Sequence, residues 1–343
     1  MAEKYYAIDF TAWKKNFLGY FFVPEIILVF KESPILSTLK KIPDNQNIVI
    51  WANKITPEIK ALSEQKKAIL WRMEDGFIRS VGLGVDLIKP LSLVLDKTGI
   101  YYDATEPSGL EKILNTASQF SPILLQQAQQ LRQKLIALKL SKYNVGGSIN
   151  LDLPPDKKII LVPGQVETDA SILKSSFDIK TNLALLEAVR KENPQAFIIY
   201  KPHPDVVAGS RYGKIQQSLA DMELTDGNMA ELLDYIDEVH TITSLTGFEA
   251  LLRKIKVVTY GMPFYAGWGL TEDHYQCERR HQKLSLTELI AGTLIEYPTY
   301  IHPQENKICS VDVVIDFLAE QKKVQKTRLP LKIKLIRLFK KPF

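Results

Sequence analysis

Short apolar runs alternate with helical patterns along the chain from about residue 45 onward. Residues 48–51 and 68–71 are runs typical of buried strands, and a helical pattern over 55–67 lies between them. Long helical periodicity rich in Leu and Gln follows over 110–140. Strands that alternate with helices predict a parallel sheet covered by helices on both faces.

A second series of the same kind begins after residues 144–155, whose Asn, Gly, Ser and Pro content is typical of a linker. The apolar pattern predicts further strands over 158–162, 196–200, 238–242 and 257–260, and further helices over 181–192, 229–236 and 246–253. The chain is therefore predicted to be an α/β protein of two domains. Because ligands of such sheets bind outside the carboxyl ends of the strands, the polar residues that follow each strand are the candidates for chemistry.

Length and composition agree with two globular domains. The chain has 343 residues, and a domain usually takes about 100–200. Hydrophobic residues make up 45% and charged residues 24%, which excludes a wholly disordered or fibrous chain. Two cysteines cannot build a disulfide framework, and the sequence shows neither a signal peptide nor an apolar run of about 20 residues. We therefore expect a cytoplasmic protein, in solution or on the inner face of a membrane.

The net charge of +5 arises from one segment. Residues 321–343 contain nine Lys or Arg residues and no acid, and taking those nine from the total of 44 leaves 35 basic against 39 acidic residues. Leu, Ile and Phe alternate with the cations in this segment. We expect a basic amphipathic tail that contacts an anionic membrane surface, and the alternative is a solvated terminus. The remaining charge does not indicate a nucleic-acid partner.

An acidic pair follows the second predicted strand. Glu74 and Asp75 precede Gly76, and Arg79 comes shortly after, in a segment whose glycines allow close approach to a ligand. Adjacent carboxylates raise each other's pKa, which suits one of them to proton transfer near neutral pH. The alternative is a turn with two solvated acids.

Two strands of the second domain are also followed by candidate residues. Gln165 and Asp169 follow its first strand, and Asp169 is either a reactive carboxylate or only a helix N-cap. Lys201 and His203 follow the next strand, and prolines on both sides of His203 fix its backbone. Lys and His donors side by side suit a phosphate or a carboxylate.

A third strand of the second domain leads into Thr243, Ser244 and Thr246 at the start of a helix. Hydroxyls and free backbone N–H groups there predict an anion site, although the same residues serve equally well as an ordinary N-cap. Residues 261–270 follow the next strand and are rich in glycine and aromatic side chains. This composition favours a wall against a sugar or a base.

Signatures of several other enzyme classes are absent from the sequence. It contains no G-x-x-x-x-G-K-[ST] loop and no G-x-G-x-x-G with a distant ribose acid, which argues against an ATPase or a dinucleotide enzyme. The Cys and His residues lack zinc-site spacing, and no D-x-D pattern is present. We therefore expect a sugar donor with a single phosphate, and neither an obligatory metal nor a cofactor.

Together these segments resemble the β-Kdo glycosyltransferase modules of bacterial capsule-polysaccharide biosynthesis, the KpsC type. The resemblance runs in order from about residue 45 to about residue 300 and is carried by residues 74–84, 99–105, 141–144, 162–167, 201–205, 243–253 and 264–270. Family members often carry two such modules in tandem, and this chain contains one.

The resemblance implies a retaining glycosyltransferase of the B type, with two Rossmann-like domains that face a cleft and CMP-Kdo as donor. Residues 1–150 would form the acceptor-side domain and residues 151–320 the CMP-sugar-binding domain, with the basic tail over 321–343. The acceptor would be a glycolipid or oligosaccharide of the capsule or lipopolysaccharide. The enzyme would then act in the bacterial cytoplasm, peripherally on the inner membrane.

The resemblance also implies roles for the candidate residues. Asp169 would be the nucleophile of a double displacement, which needs a carboxylate at the anomeric carbon. Glu74 or Asp75 would be the general base, and Arg79 would pair with a carboxylate of Kdo or of the acceptor. The CMP moiety would be bound by Gln165, Lys201, His203, Thr243, Ser244, Thr246 and Glu249.

Two other functions stay open on the sequence. The first is an inverting, sialyltransferase-like CMP-sugar transferase in which Asp75 is the base and Asp169 is only structural. The second is a nonenzymatic factor of capsule assembly or export at the membrane. Carboxylates, His and Lys that converge at strand ends argue against a scaffold, which has no need of them.

Overall fold

The computed structural model describes residues 2–82, 87–207, 209, 212–215 and 219–325. Most of the basic segment 321–343 lies outside the described residues, so the tail prediction rests on the sequence alone. The described strands are β1 Glu3–Ile8, β2 Ile26–Lys31, β3 Asn47–Trp51, β4 Ile69–Asp75, β5 Ser92–Asp96, β6 Ile159–Pro163, β7 Phe197–Lys201, β8 Met222–Glu223, β9 Glu238–Thr241, β10 Lys256–Thr259, β11 Glu272–Asp273, β12 Pro298–Ile301 and β13 Ile308–Cys309.

The described α-helices are α1 Ala12–Leu18, α2 Ile35–Lys41, α3 Pro57–Gln65, α4 Gly109–Asn115, α5 Pro122–Ala137, α6 Ala170–Ser175, α7 Asn182–Glu192, α8 Pro204–Val207, α9 Met229–Leu232, α10 Leu245–Leu252, α11 Leu286–Ile290 and α12 Val311–Gln325. A π-helix over Ala291–Glu296 continues α11.

All six strands predicted from the apolar pattern are present. Only β4 runs much farther than predicted, so that Glu74 and Asp75 are its last two residues rather than part of a loop.

The first sheet is mixed, in the order β13-β12-β5-β4-β3-β1-β2. Strands β1 to β4 are parallel, whereas β5 runs antiparallel to β4, β12 to β5 and β13 to β12. The prediction of a wholly parallel sheet is therefore wrong for this domain. The physical reason is the connection from β4 to β5, which contains no crossover helix among its described residues, and parallel neighbours need one.

The second sheet is entirely parallel, in the order β11-β10-β9-β6-β7-β8. If its strands are numbered along the chain from β6, this is the 3-2-1-4-5-6 order of a Rossmann domain. The order reverses between β6 and β9, and ligands of such sheets bind at that switch point. The protein is thus α/β with two Rossmann-like domains, as predicted.

The chain returns to the first sheet near residue 298. Strand β12 pairs with β5, β13 pairs with β12, and α12 packs against β12. Tyr300 and Ile301 of β12 are buried there. The second domain therefore ends earlier than the predicted residue 320, because residues 298–325 join the first domain. An apolar run of four residues does not indicate which of two sheets it will extend.

The helical pattern over 110–140 is two helices rather than one. The first of them, α4, ends at Asn115, and α5 begins at Pro122 after the N-cap Ser121. Proline is favoured in the first turn of a helix, where its missing N–H has no intrahelical partner to lose. The Ser-Pro pair is the sequence signal for this second start.

Aromatic side chains and ion pairs join the two domains. Phe77, directly after β4, lies 4.7 Å from the ring of Phe264 in the second domain. Glu111 of α4 pairs with Arg279 at 3.1 Å and with Arg280 at 3.0 Å. These contacts bring together segments near the carboxyl ends of strands from both sheets, the edge where ligands bind.

Candidate active site

The acidic pair at the end of β4 contains two carboxylates in different environments. Asp75 Oδ2 accepts a hydrogen bond from Arg79 Nε at 2.7 Å, and Arg79 Nη1 donates to Ser80 Oγ at 2.9 Å. Only 3% of the Arg79 side chain is exposed. The geometry therefore favours Arg79 as a support for Asp75, rather than as the predicted partner of a substrate carboxylate.

Glu74 is the member of the pair that can carry a proton near neutral pH. Its Oε1 accepts a hydrogen bond from the Asp75 N–H at 3.0 Å. Burial, together with the charge of Asp75, raises the pKa of Glu74 to about 7, although the cations Lys142 and Lys14 act in the opposite direction. A carboxyl group with this pKa is suited to general acid–base catalysis.

Lys142, which the sequence left without a role, lies beside the acidic pair. Its backbone carbonyl accepts hydrogen bonds from Arg79 N and Ser80 N, each at 3.3 Å. Burial lowers the pKa of the Lys142 ammonium, but the neighbouring Tyr143, Tyr101, Asp75 and Glu74 outweigh burial and raise it. Lys142 is therefore a charged lysine inside the site.

Glu249 contacts the backbone of Lys142, which the sequence did not predict. Its Oε1 accepts a hydrogen bond from the Lys142 N–H at 3.0 Å, and Glu249 is 9% exposed. Burial raises the pKa of its carboxyl group. The arrangement favours an anchor between α10 and the segment that carries Lys142, whereas the sequence predicted a contact with the nucleotide.

Gln165 joins the loops after β6 and β9 at the switch point. The side chain is buried, its Nε2 donates to Thr243 Oγ1 at 2.9 Å, and its Oε1 accepts from the Thr243 N–H at 2.9 Å. Its backbone N–H donates to Asn182 Oδ1 at 2.8 Å. A buried carboxamide that uses donor and acceptor together fixes the relative position of the two loops.

Asp169 is the N-cap of α6. Its Oδ1 accepts hydrogen bonds from the backbone N–H and from the hydroxyl of Ser171, both at 2.9 Å. The Ser171 hydroxyl in turn accepts from Thr243 Oγ1 at 3.3 Å. Asp169 is thus connected to the Gln165–Thr243 pair, and the cap uses only one of its two carboxylate oxygens.

Ser244 is the N-cap of α10. Its Oγ accepts from the Thr246 N–H at 3.2 Å, and its carbonyl accepts from the Tyr265 hydroxyl at 2.5 Å. A side-chain carbon at Gly247 would collide with that same hydroxyl, so only glycine allows the contact. Hydroxyl groups therefore cluster at the amino-terminal end of α10, where the helix dipole favours an anion, although the backbone N–H groups of Ser244, Thr246 and Gly247 already have acceptors.

Residues 264–270 do not form the predicted exposed wall. Tyr265 and Trp268 are fully buried, and Phe264 is 6% exposed. Arg280 donates to the backbone carbonyls of Pro263 and Ala266 and so fixes the course of this loop. The loop supports the start of α10 from inside, because its aromatic residues fill the core instead of facing a ligand.

Lys201 and His203 lie at the end of β7, next to the loop after β6. Lys201 is buried; burial lowers the pKa of its ammonium group, and the nearby Asp226 acts in the opposite direction. His203 Nδ1 accepts a hydrogen bond from the Asp205 N–H at 3.1 Å. The neutral imidazole then carries its proton on Nε2, which makes that nitrogen a donor.

Tyr102, a residue to which the sequence assigned no role, connects the two halves of the site. Its hydroxyl is buried and has no hydrogen-bond partner among the described residues. Burial raises the pKa of Tyr102, and the negative charges of Glu74 and Asp169 raise it further. The backbone carbonyl of Tyr102 accepts a hydrogen bond from Ser175 of α6 at 2.5 Å, and the hydroxyl of the neighbouring Tyr101 donates to the Asp75 carbonyl at 3.4 Å, so this segment contacts both domains.

Two absences concern only the described part of the chain. It contains no group of three or more His, Cys, Asp or Glu side chains arranged to hold a metal ion. None of its helices is both long and apolar enough to span a membrane.

Comparison with known proteins identifies the family. The family model described as capsule polysaccharide biosynthesis protein matches residues 46–145 and 130–300. The chain belongs to this capsule polysaccharide biosynthesis family. It is 47% identical over 326 residues to the capsule polysaccharide modification protein LipA of Neisseria meningitidis serogroup B, which is 94% of this chain and 46% of LipA. The lipopolysaccharide-processing protein LpsZ of Rhizobium meliloti is 41% identical over 284 residues, which is 81% of this chain and 64% of LpsZ.

Two solved structures share the fold. The beta Kdo 2,7 transferase of Thermosulfurimonas dismutans KpsC is 39% identical, with a TM-score of 0.75 over 93% of this chain and 100% of that chain. The beta Kdo 2,4 transferase of the same KpsC is 34% identical, with a TM-score of 0.82 over 91% of this chain and 97% of that chain. This capsule polysaccharide biosynthesis protein is thus related to the KpsC Kdo transferases, as its motifs predict. It spans about half the length of LipA.

Proposed function

We propose that the chain is a retaining β-Kdo glycosyltransferase that transfers Kdo from CMP-β-Kdo to a hydroxyl group of a glycolipid or oligosaccharide acceptor. The observation that carries this proposal is that residues 101–102 contact both carboxylate segments: the Tyr101 hydroxyl donates to the Asp75 carbonyl at 3.4 Å, and the Tyr102 carbonyl accepts from Ser175 of α6, the helix that Asp169 caps, at 2.5 Å. A double displacement needs two such carboxylates, one as nucleophile and one as base. The names of the two related structures support Kdo as the sugar.

In the first step, the Asp169 carboxylate attacks the anomeric carbon of Kdo, and the bond from that carbon to the CMP phosphate oxygen breaks. Since the helix cap uses Oδ1, Oδ2 is the attacking oxygen. The phosphate departs toward the start of α10 and the Nε2–H of His203. Fixed donors placed where negative charge develops stabilise the transition state.

In the second step, the acceptor hydroxyl attacks the glycosyl ester on the face that CMP has left. Glu74 takes the hydroxyl proton, and the bond between Kdo and Asp169 breaks with the electrons returning to the carboxylate. Two inversions give net retention. Glu74 is the better base of the acidic pair because Asp75 is held by Arg79.

The CMP moiety is proposed to bind at the switch point between β6 and β9. Thr243, Ser244 and Thr246 line the start of α10 there, while the buried Gln165 fixes the loops that form the site. Lys201 adds a positive charge close to the phosphate. We expect no cofactor and no obligatory metal beyond this donor.

One observation favours a second candidate, an inverting, sialyltransferase-like transferase. Asp169 is an N-cap of α6, which is the structural role that this alternative requires of it. Asp75 would then be the base, despite its contact with Arg79. The anomeric configuration of the product, read by NMR, separates the two mechanisms.

We further propose that the protein acts in the bacterial cytoplasm, peripherally on the inner membrane. The nine cations of residues 321–343, interleaved with Leu and Ile, support contact with anionic lipid. A membrane-embedded glycolipid acceptor would explain why a transferase needs such a contact.

The decisive experiment is intact-mass analysis of the protein incubated with CMP-Kdo in the absence of acceptor. We expect a gain of one Kdo mass, mapped to the peptide that contains Asp169. Asp169→Asn is nearly isosteric and can still cap α6, so it should fold and bind CMP but form no adduct. An adduct on Glu74 would reverse the two roles, and an inverted product without any adduct would favour the second candidate.

A further inference from the structure

Lys14 is a half-buried cation whose position the proposed chemistry does not explain. It lies in α1, directly after β1, and its ammonium nitrogen is 2.9 Å from the ring centroid of Trp51 at the end of β3. In the sheet, β3 separates β1 from β4. Lys14 therefore reaches across Trp51 toward Glu74 and Asp75 at the end of β4.

The Lys14 ammonium has no hydrogen bond or ion pair with any described side chain. Its neighbour Lys15 pairs with Glu32 at 2.6 Å, and Lys54 pairs with Asp9 at 2.8 Å. Burial lowers the pKa of Lys14 to about 8, against the opposing pull of Asp75 and Glu74. The Trp51 ring and the charges of Asp75 and Glu74 replace only part of the solvation that the Lys14 ammonium loses, since burial still lowers its pKa.

The charges around the acidic pair are unbalanced. The cations Lys14, Lys142 and Arg79 lie near the carboxylates Glu74 and Asp75, and Glu249, a carboxyl group whose pKa burial raises, lies near Lys142. Asp75 is already bonded to Arg79, and Glu74 is protonated for part of the time near neutral pH. The acceptor side of the site therefore has surplus positive charge, which an anionic ligand would balance.

We infer that Lys14 binds an anionic group of the acceptor, a carboxylate or a phosphate close to the hydroxyl that attacks Kdo. Lys14 thereby takes the role that the sequence assigned to Arg79, whose guanidinium is occupied inside the protein. The inference rests on the proposed transferase function and deepens it, since it makes the transferase selective for acidic acceptors.

The position of Lys14 favours the acceptor over the donor. The proposed CMP site is built on β6, β7 and β9 of the second sheet, whereas Lys14 belongs to the first domain and approaches Glu74, the proposed base. The acceptor hydroxyl must lie within hydrogen-bond distance of that base. An anionic group on the sugar that carries the attacking hydroxyl would then lie on the same side of the site as Lys14.

The test measures acceptor binding by calorimetry, without donor, for the wild type and for Lys14→Gln. The probes are two matched pairs: a Kdo glycoside with its methyl ester, and a glycosyl phosphate with its unphosphorylated glycoside. The wild type should bind one acidic probe about 10-fold to 100-fold more tightly than its neutral partner. Lys14→Gln should abolish this preference, and Lys14→Arg should restore part of it.

Lys15→Gln is the matched control, because Lys15 is adjacent in α1 but pairs with the exposed Glu32. It should keep the full preference.

The acidic probe that binds more tightly shows whether the anionic group is a carboxylate or a phosphate. The inference is overturned if the wild type binds both members of each pair equally, or if folded Lys14→Gln keeps the preference. It is also overturned if Lys14→Gln weakens CMP-Kdo binding instead. If binding of the acidic probe depends on Lys14 but the protein never releases CMP from CMP-Kdo, the Lys14 site for an anion is supported and the proposed transferase function is refuted.

Discussion

Two adjacent carboxyl groups at the end of β4 differ in their chemistry because their neighbours differ. Arg79 neutralises Asp75 through a 2.7 Å hydrogen bond, whereas Glu74 is buried beside the Asp75 charge with only more distant cations to oppose it. Environments that separate the pKa values of two acids give each a distinct role. At the scale of single residues, this difference in environment is the reason to propose Glu74 as the base.

Glu74→Gln should stabilise the fold at alkaline pH while abolishing transfer. The pKa of Glu74 is raised from 4.5 to about 7, so between these pH values the folded state binds more protons than the unfolded state. The free energy of unfolding therefore falls as pH rises through this window, by up to ~3 kcal/mol. Gln does not ionise and avoids this loss.

Denaturant unfolding at pH 5 and pH 8.5 checks this prediction. The advantage of the variant over the wild type should be larger at pH 8.5, and wild-type transfer should rise with pH through about 7, as a base with this pKa requires. An equal difference in stability at the two pH values would contradict the assignment.

The loop over 264–270 and α10 form one supporting unit at the scale of elements. Tyr265 is fully buried, and its hydroxyl holds the Ser244 carbonyl at the start of α10. Gly247 leaves room for that hydroxyl. The position of the proposed phosphate site therefore depends on a side chain that never touches the ligand.

Tyr265→Phe should cost about 1 kcal/mol of stability, because it leaves a buried carbonyl without this donor. It should also weaken CMP binding about threefold to tenfold, since the start of α10 loses its fixed position. Tyr300→Phe is the matched control, because the Tyr300 hydroxyl donates to the Leu294 carbonyl at 2.8 Å, outside the proposed site. Calorimetry with CMP should separate the two variants, and equal CMP affinity in both would argue against the supporting role.

At the scale of the whole molecule, buried ion pairs connect the domains. Glu111 accepts from Arg279 and Arg280, and the Arg280 side chain is only 1% exposed. Glu111→Gln would leave a buried guanidinium without its carboxylate, which should destabilise the protein by about 3–5 kcal/mol. The exposed pair of Lys15 with Glu32 provides the control, and Glu32→Gln should cost about 1 kcal/mol or less. If thermal unfolding shows equal destabilisation in the two variants, the ion pairs of Glu111 contribute little to stability.

The basic segment also concerns the whole molecule. Removing residues 326–343, which follow α12 and contain seven of the nine cations, should weaken binding to anionic vesicles. Each cation near such a surface contributes about 1 kcal/mol. Transfer to a soluble acceptor should be nearly unchanged, and neutral vesicles serve as the control. Equal partitioning of both proteins onto anionic vesicles would refute the membrane role.

The sequence by itself determined six of the thirteen described strands, the α/β class and the family, because apolar runs and strand-end motifs are local along the chain. The strands β3, β6, β7, β9 and β10 were predicted correctly for this reason. Gln165, Asp169 and Ser244 lie near the carboxyl ends of their strands, as predicted. What a residue type permits, such as a cap at Asp169 or an anion site at Ser244, could also be predicted.

Only the tertiary structure decided which partner each residue has. The return of β12 to the first sheet, the contact of Glu249 with Lys142 and the burial of Tyr265 depend on residues that are far apart in the chain. Lys14 gave no signal as a motif, and Tyr102 lay in a segment of the family resemblance without an assigned role, because the role of a lysine or a tyrosine depends on the charges folded around it. Burial and proximity set those charges and their pKa values, and neither property is local in sequence.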